Sequence, residues 1–201
     1  IAIPSFVGFL VLANPILALL FNGNIDISAN MLRLGAITVV FYCMSTVTNA
    51  ILQGLNKMTT PVKHGAISLC IHLAGLFIML VIFKMGIYAV VASNIIFSLS
   101  MCILNARALK REAAYHQEVE KTFLIPAVAA VVMGVVALVI YFLCNLVMSQ
   151  NIAVIIALLV AVVVYGVSLL KFGGLSQEEI LALPKGSTLL SLFQKLHLVK
   201  E

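Results

Sequence analysis

The sequence predicts an all-α protein that crosses a membrane about six times, and two observations carry this prediction. Of the 201 residues, 63% are hydrophobic and 9% are charged, whereas soluble domains average about 45–50% apolar and about 25% charged residues. The few charges also fall in short clusters between apolar runs of roughly 20 residues, the length that a helix needs to cross a bilayer. A chain of this composition lacks the polar surface that a water-soluble globule requires.

The predicted spans follow one another with short connections. Polar or turn-forming residues flank each apolar run, and each run is long enough to cross the bilayer as a helix. The first run starts at Ile1 without a Met or the basic flank of a signal peptide. We therefore expect the chain to be a piece of a longer protein whose upstream part is missing. The six predicted spans cover residues 1–22, 31–54, 65–83, 86–106, 123–147 and 152–170.

The last part of the chain, residues 171–201, is predicted to form an amphipathic tail. Ser176 and Glu179 have the spacing of a capping box, which predicts a short helix that ends before Pro184. Residues 188–199 then place leucines on one helical face. We expect this tail either to lie on the membrane surface or to pack against its own protein as a cytoplasmic helix.

The basic residues predict how the chain is oriented in the membrane. Ten of the 12 Lys and Arg residues lie in the connections at 55–64 and 107–122 and in the tail from 171. The opposite connections hold only Lys84, and Arg33 lies inside a span. Because Lys and Arg accumulate in cytoplasmic loops, this asymmetry predicts a cytoplasmic C-terminus. It also explains the net charge of +5 without a nucleic acid partner.

No catalytic or metal-binding pattern is found in the sequence. The sequence lacks the signatures of serine hydrolases, P-loop NTPases and zinc metalloproteases. All seven acidic residues lie outside the predicted spans. We therefore expect neither enzymatic activity nor a metal or another cofactor. The four cysteines lie in apolar runs without the spacing of a metal site or a disulfide framework, so we expect small buried hydrophobes: Cys43, Cys70, Cys102 and Cys144.

Polar side chains are concentrated on one face of each of three consecutive spans. Because polar atoms are costly in a bilayer, such faces are expected to point at protein or water. An alternative is that they only hold helices together through interhelical hydrogen bonds. The residues that we expect to line a substrate cavity are Tyr42, Thr46, Asn49, Gln53, His72 and Asn94. The same faces carry Ser45 on the second span, Gly65, Ser68 and Gly75 on the third, and Ser98 and Asn105 on the fourth.

Two of the candidate positions leave alternatives open. His72 is a titratable group in the middle of a span, which predicts either an interhelical hydrogen bond or a proton or substrate site. Arg33 could hold a lipid phosphate or pyrophosphate. On a regular helix, however, it points away from the polar face, which favours snorkelling to the outer interface. A kink at Gly35 would redirect it towards the cavity.

Four segments of the chain are similar in sequence to members of a known protein family. They are IAIPSFVGFLVLANPILALLFNG at 1–23, ILQGLNKMTTPVKHG at 51–65, MGIYAVVASNIIF at 85–97 and SQEEILALPKGSTLLSLFQKL at 176–196. With them, essentially the whole chain resembles the branch of the multidrug/oligosaccharidyl-lipid/polysaccharide flippase superfamily that contains stage V sporulation protein B and polysaccharide biosynthesis proteins.

This resemblance implies the C-terminal half of a transporter with fourteen membrane helices. Residues 1–110 would hold four spans of the second transport lobe, 111–122 a cytoplasmic loop, 123–170 two accessory spans, and 171–201 the cytoplasmic tail. The implied substrate is an undecaprenyl-linked glycan, such as a peptidoglycan precursor, moved across the bacterial cytoplasmic membrane in cell-wall synthesis or sporulation. The implied partners are this lipid, the surrounding membrane lipids and the missing N-terminal half.

Two other functions are compatible with the same pattern. A cation-coupled multidrug exporter of the same superfamily would call for a carboxylate inside a span, which this half lacks. A non-transporting accessory protein of cell-wall synthesis would need only a well-packed bundle. Polar faces on three consecutive spans favour a lined cavity over inert packing.

Overall fold

The computed structural model describes residues 1–113, 120–174 and 181, and within these ranges the chain is helical apart from short turns. Six helices are long and apolar enough to cross a membrane. The predicted all-α, multi-pass membrane fold is thereby confirmed. The helices are α1 (Ala2–Leu20), α2 (Asp26–Gly54), α3 (Thr59–Phe77), α4 (Tyr88–Ala113), α5 (Ile125–Val147) and α6 (Gln150–Lys171). A π-helical turn, Ile78–Ile82, extends α3, and another, Glu120–Leu124, precedes α5.

Several helices extend beyond the apolar runs that predicted them. α2 begins at Asp26 and not at residue 31, and α4 continues to Ala113, past the predicted end at residue 106. Hydropathy marks the part of a helix that suits the bilayer core, whereas the backbone hydrogen bonds continue into the polar region. The predicted tail from residue 175 onward, apart from Leu181, lies outside the described residues.

The helices pack in the order α3, α4, α2, α1, with α5 and α6 paired against α1. α2 and α3 are neighbours in the sequence, but α4 lies between them and they touch only weakly. α2 and α4 run parallel, since Gly35 lies against Val91 near one end and Asn49 against Asn105 near the other. The ends of α2, α3 and α4 that the distribution of Lys and Arg predicts to be cytoplasmic therefore lie together.

α1 is bent in its middle. Leu12 has non-helical dihedral angles, with φ −105° and ψ 18°, three residues before Pro15. Proline has no N–H to donate to the preceding turn, and its ring crowds the carbonyl four residues earlier, which bends a helix. The missing N–H of Pro15 leaves the Val11 carbonyl without its regular helical partner.

Small residues bring α1 close to α5. A Cβ atom added to Gly134 of α5 would lie 2.7 Å from the Cγ1 atom of Val7. Leu12, Met133, Ala137 and Ala161 form the buried cluster at this junction. Most other large apolar side chains are exposed, as expected where a helix faces lipid. Among the cysteines, only Cys102 is buried while Cys70 is exposed, so the expectation of four buried cysteines was wrong.

Candidate functional site

A hydrogen-bonded cluster joins α2, α3 and α4 near their predicted cytoplasmic ends. The side-chain nitrogen of Asn105, which is fully buried, donates to Asn49 Oδ1 at 2.7 Å and to the Ser45 carbonyl at 3.3 Å. On its other side, Asn105 Oδ1 lies 2.8 Å from His64 Nδ1. We call these four residues, Ser45, Asn49, His64 and Asn105, the inner network.

The geometry of the inner network fixes the tautomer of His64. If the Asn105 amide were turned over, its oxygen would face the Ser45 carbonyl oxygen, and two acceptors would repel. Asn105 Oδ1 therefore accepts this hydrogen bond, and His64 Nδ1 is the protonated nitrogen that donates it. His64 Nε2 remains available for a further hydrogen bond.

An ion pair lies beyond the inner network, at the same end of the bundle. Lys57 Nζ and Glu112 Oε2 are 3.0 Å apart, with both side chains largely exposed. An exposed ion pair of this kind contributes about 0–1 kcal/mol to the stability of the folded protein. Together with the inner network, it ties the end of α2 to the end of α4.

The polar stripe of α2 divides into two parts. Ser45 and Asn49 turn towards α4, whereas Tyr42, Thr46 and Gln53 are exposed. The Thr46 hydroxyl donates to the Tyr42 carbonyl of its own helix at 2.9 Å. In the described part of the chain, one of the six predicted cavity residues, Asn49, forms a side-chain hydrogen bond to a side chain of another helix.

Asn94 and Asn105 lie on one face of α4 but in different surroundings. They are eleven residues apart, which is about three helical turns. Asn105 is fully buried in the inner network, whereas Asn94 is exposed. The polar face of α4 is therefore closed by neighbouring helices at one end and open further along the helix.

Within residues 1–113, 120–174 and 181, His72 forms no interhelical hydrogen bond, which was one of its two predicted roles. Its ring packs edge-on against Phe97 of α4, with ring centroids 5.9 Å apart. Within the described residues its Nδ1 atom is buried without a hydrogen-bond partner, as is the hydroxyl of Thr38 on α2. The histidine that bonds across helices is His64, which the sequence reasoning did not select.

Arg33 lies at the contact between α1 and α2 and not on the polar stripe. Its Nε donates to the Leu10 carbonyl at 3.3 Å, and its Nη1 donates to Asn30 Oδ1 at 3.3 Å. α2 stays helical through Gly35, so the kink that would have turned Arg33 towards the cavity is not observed. The side chain is half-buried between α1 and α2, and its snorkelling to the outer interface stays a prediction.

An apolar cavity of about 380 Å³ lies between α1, α5 and α6. Aliphatic and aromatic side chains dominate its lining, so it suits a hydrocarbon chain better than a polar group. Gly8 and Gly134 open it by lacking side chains on the facing helices. The larger lining residues are Phe9, Leu12, Met133, Leu158, Val162 and Tyr165.

The described residues contain no group of three or more His, Cys, Asp or Glu side chains that could hold a metal ion. Comparison with family models, curated proteins and solved structures found no match to this chain. The assignment of function therefore rests on the sequence motifs and on the geometry of the helices.

Proposed function

We propose that this chain forms part of a membrane transporter that moves a lipid-linked oligosaccharide or peptidoglycan precursor across the bacterial cytoplasmic membrane by alternating access. The observation that carries the proposal is the polar surface along α2 and α4. Tyr42, Thr46 and Asn94 are exposed although they lie within membrane-spanning helices, and Gln53 is exposed at the end of α2. Exposed polar side chains at this depth favour contact with a hydrated cavity over contact with lipid chains.

Two further features support a lipid-linked substrate. Asn94 leaves the polar face of α4 open beyond the part that the inner network covers, so a polar head group could reach it. The apolar cavity between α1, α5 and α6 has the size and lining for part of a lipid tail. A substrate with a polar head and a long hydrocarbon tail would use both surfaces.

In this proposal the facing wall of the polar cavity comes from another part of the same protein, as the family resemblance implies. The C-terminus faces the cytoplasm, in accordance with the distribution of Lys and Arg. Rocking of two lobes about the substrate would expose the cavity to each side of the membrane in turn.

A second candidate function is an accessory protein of cell-wall synthesis that transports nothing. The inner network favours this alternative at one position, because it shows Asn49 serving helix packing. The exposed residues Thr46, Gln53 and Asn94 have no such role within the described chain.

The test is a translocation assay with the complete protein, as the cell makes it, in lipid vesicles. A fluorescent undecaprenyl-linked sugar is placed in one leaflet, and its appearance in the other is followed by a membrane-impermeant quencher. We expect faster translocation than in protein-free vesicles and in vesicles that contain heat-inactivated protein. Equal rates would contradict the proposal, and export of a cationic dye driven by an ion gradient would favour the drug exporter.

A further inference from the structure

Arg33 carries a positive charge within a membrane-spanning helix. It lies two residues inside the apolar run that begins at residue 31, which is about 3 Å along the helix axis. Both of its hydrogen-bond acceptors, the Leu10 carbonyl and the Asn30 amide oxygen, are neutral. Among the described residues, Arg33 forms no ion pair. At the edge of the bilayer core, an anion that approaches such a charge stabilises it.

Two hydrogen bonds of 3.3 Å engage the guanidinium group and leave part of it free. A guanidinium has five N–H groups, and here Nε and one hydrogen of Nη1 are engaged. Three N–H groups remain, two of them on Nη2. These free N–H groups of a planar guanidinium match the oxygens of a phosphate, which guanidinium groups bind through paired hydrogen bonds.

Arg33 reaches α1 close to its bend. Its acceptor, the Leu10 carbonyl, lies two residues before Leu12, where the helix departs from regular geometry. The site therefore includes the backbone of α1 as well as side chains of α2.

We propose that Arg33 binds the phosphate group of a membrane lipid at the contact between α1 and α2. A lipid source is favoured over free phosphate because the flanking side chains Leu10 and Leu34 are both exposed and apolar, as acyl chains would require. The proposal does not depend on transport, since an accessory membrane protein with the same helices would bind the lipid equally well.

The test measures lipid binding to the purified 201-residue chain in detergent micelles by native mass spectrometry. The probes are phosphatidylglycerol and a neutral glucosyl diacylglycerol that has no phosphate, with inorganic phosphate added as a competitor. The variants are Arg33→Gln, Arg33→Lys and, as a control, Lys84→Gln. Lys84 is an exposed cation in the turn between α3 and α4, at the same end of the bundle as the start of α2.

We expect Arg33→Gln to weaken phosphatidylglycerol binding about tenfold, as the loss of a charge-assisted hydrogen bond implies. Arg33→Lys should retain part of the affinity, and Lys84→Gln should change it less than about twofold. Binding of the neutral glycolipid should not depend on Arg33. If inorganic phosphate at millimolar concentration displaces phosphatidylglycerol, the ligand of Arg33 is a soluble phosphate and not a lipid.

Two results would overturn the proposal. One is unchanged phosphatidylglycerol binding by Arg33→Gln, which is also the result expected if Arg33 pairs with a carboxylate of another chain. The other is an equal loss from Lys84→Gln, which would indicate a general surface charge effect. If Arg33→Gln does not fold, solid-state NMR of wild-type protein decides, with the signal of Arg33 identified by its loss in Arg33→Lys. The guanidinium carbon of Arg33 should then lie within about 5 Å of a lipid phosphorus atom, as direct hydrogen bonds require, and a spectrum without that contact would refute the site.

Discussion

Asn105 and Asn49 are joined side chain to side chain across two helices that are not consecutive in the sequence. Asn105 Nδ2 donates to Asn49 Oδ1 at 2.7 Å, which fixes the parallel pair α2 and α4 at one end. His64 completes the cluster from α3 through Asn105 Oδ1. Asn49 therefore contributes to the contact between α2 and α4, whereas Thr46 and Gln53 bond no other helix in the described part of the chain, and the predicted cavity role of all three stays a prediction.

The first prediction concerns the stability that the inner network provides. Asn105→Leu should lower the free energy of unfolding by about 1–2 kcal/mol, because it leaves the Asn49 oxygen and the His64 Nδ1–H without partners. The measurement is unfolding of the purified chain in mixed detergent micelles, followed by circular dichroism. Asn94→Leu is the matched control, since it makes the same chemical change on the same face of α4 at an exposed position. Equal losses in the two variants would contradict the assigned role of Asn105.

The second prediction separates cavity residues from packing residues. Gln53→Leu in the complete protein should reduce transport per folded molecule about fivefold, the effect of losing one hydrogen bond of about 1 kcal/mol to the substrate or its water. The amount of folded protein should stay near normal, because the Gln53 side chain is exposed among the described residues. Val40→Leu on the opposite side of α2 serves as the control and should have little effect. If Gln53→Leu lowers folded protein and activity in step, the residue serves packing instead.

The third prediction concerns the orientation in the membrane. Residues 55–64, 107–122 and 171–201 should face the cytoplasm, because they hold ten of the 12 basic residues. In a variant whose four native cysteines are replaced by alanine, a cysteine at Asn151 should react with an impermeant maleimide in intact cells. A cysteine at Gln117 should react only after permeabilisation. The reverse labelling pattern would invert the topology.

The fourth prediction concerns the contact between α1 and α5. Gly134→Ala should destabilise the chain by about 1–3 kcal/mol through overpacking, because the new methyl group would lie 2.7 Å from Val7 Cγ1. Val7 is β-branched and has little freedom to rotate away. Gly8→Ala on α1 is the control, since an added Cβ atom there meets nothing within 4 Å. Thermal unfolding in detergent should show a lower midpoint for Gly134→Ala alone, and unchanged midpoints for both variants would argue against this packing.

The candidate site was only partly predictable from the sequence. Helical periodicity placed Ser45 and Asn49 on one stripe of α2, and Ser98 and Asn105 on one face of α4, because the angle between residues on a helix is fixed. It could not show which parts of each stripe a neighbouring helix covers. His64 was missed because it lies just before the predicted third span, which starts at residue 65. It is next to the charged Lys63, where a polar residue needs no special explanation. Its separation from Asn105 by 41 positions could not indicate a contact.

The sequence by itself determined the fold class and the number of spans. Apolar runs of bilayer length must become helices in lipid, because every backbone N–H and C=O group has to be paired within its own segment. Only the tertiary structure decided that α4 lies between α2 and α3, that Asn49 is bonded while Gln53 is open, and that Arg33 turns towards the bend in α1. These outcomes depend on side-chain contacts between distant segments, and such contacts leave no periodic signal in either segment alone.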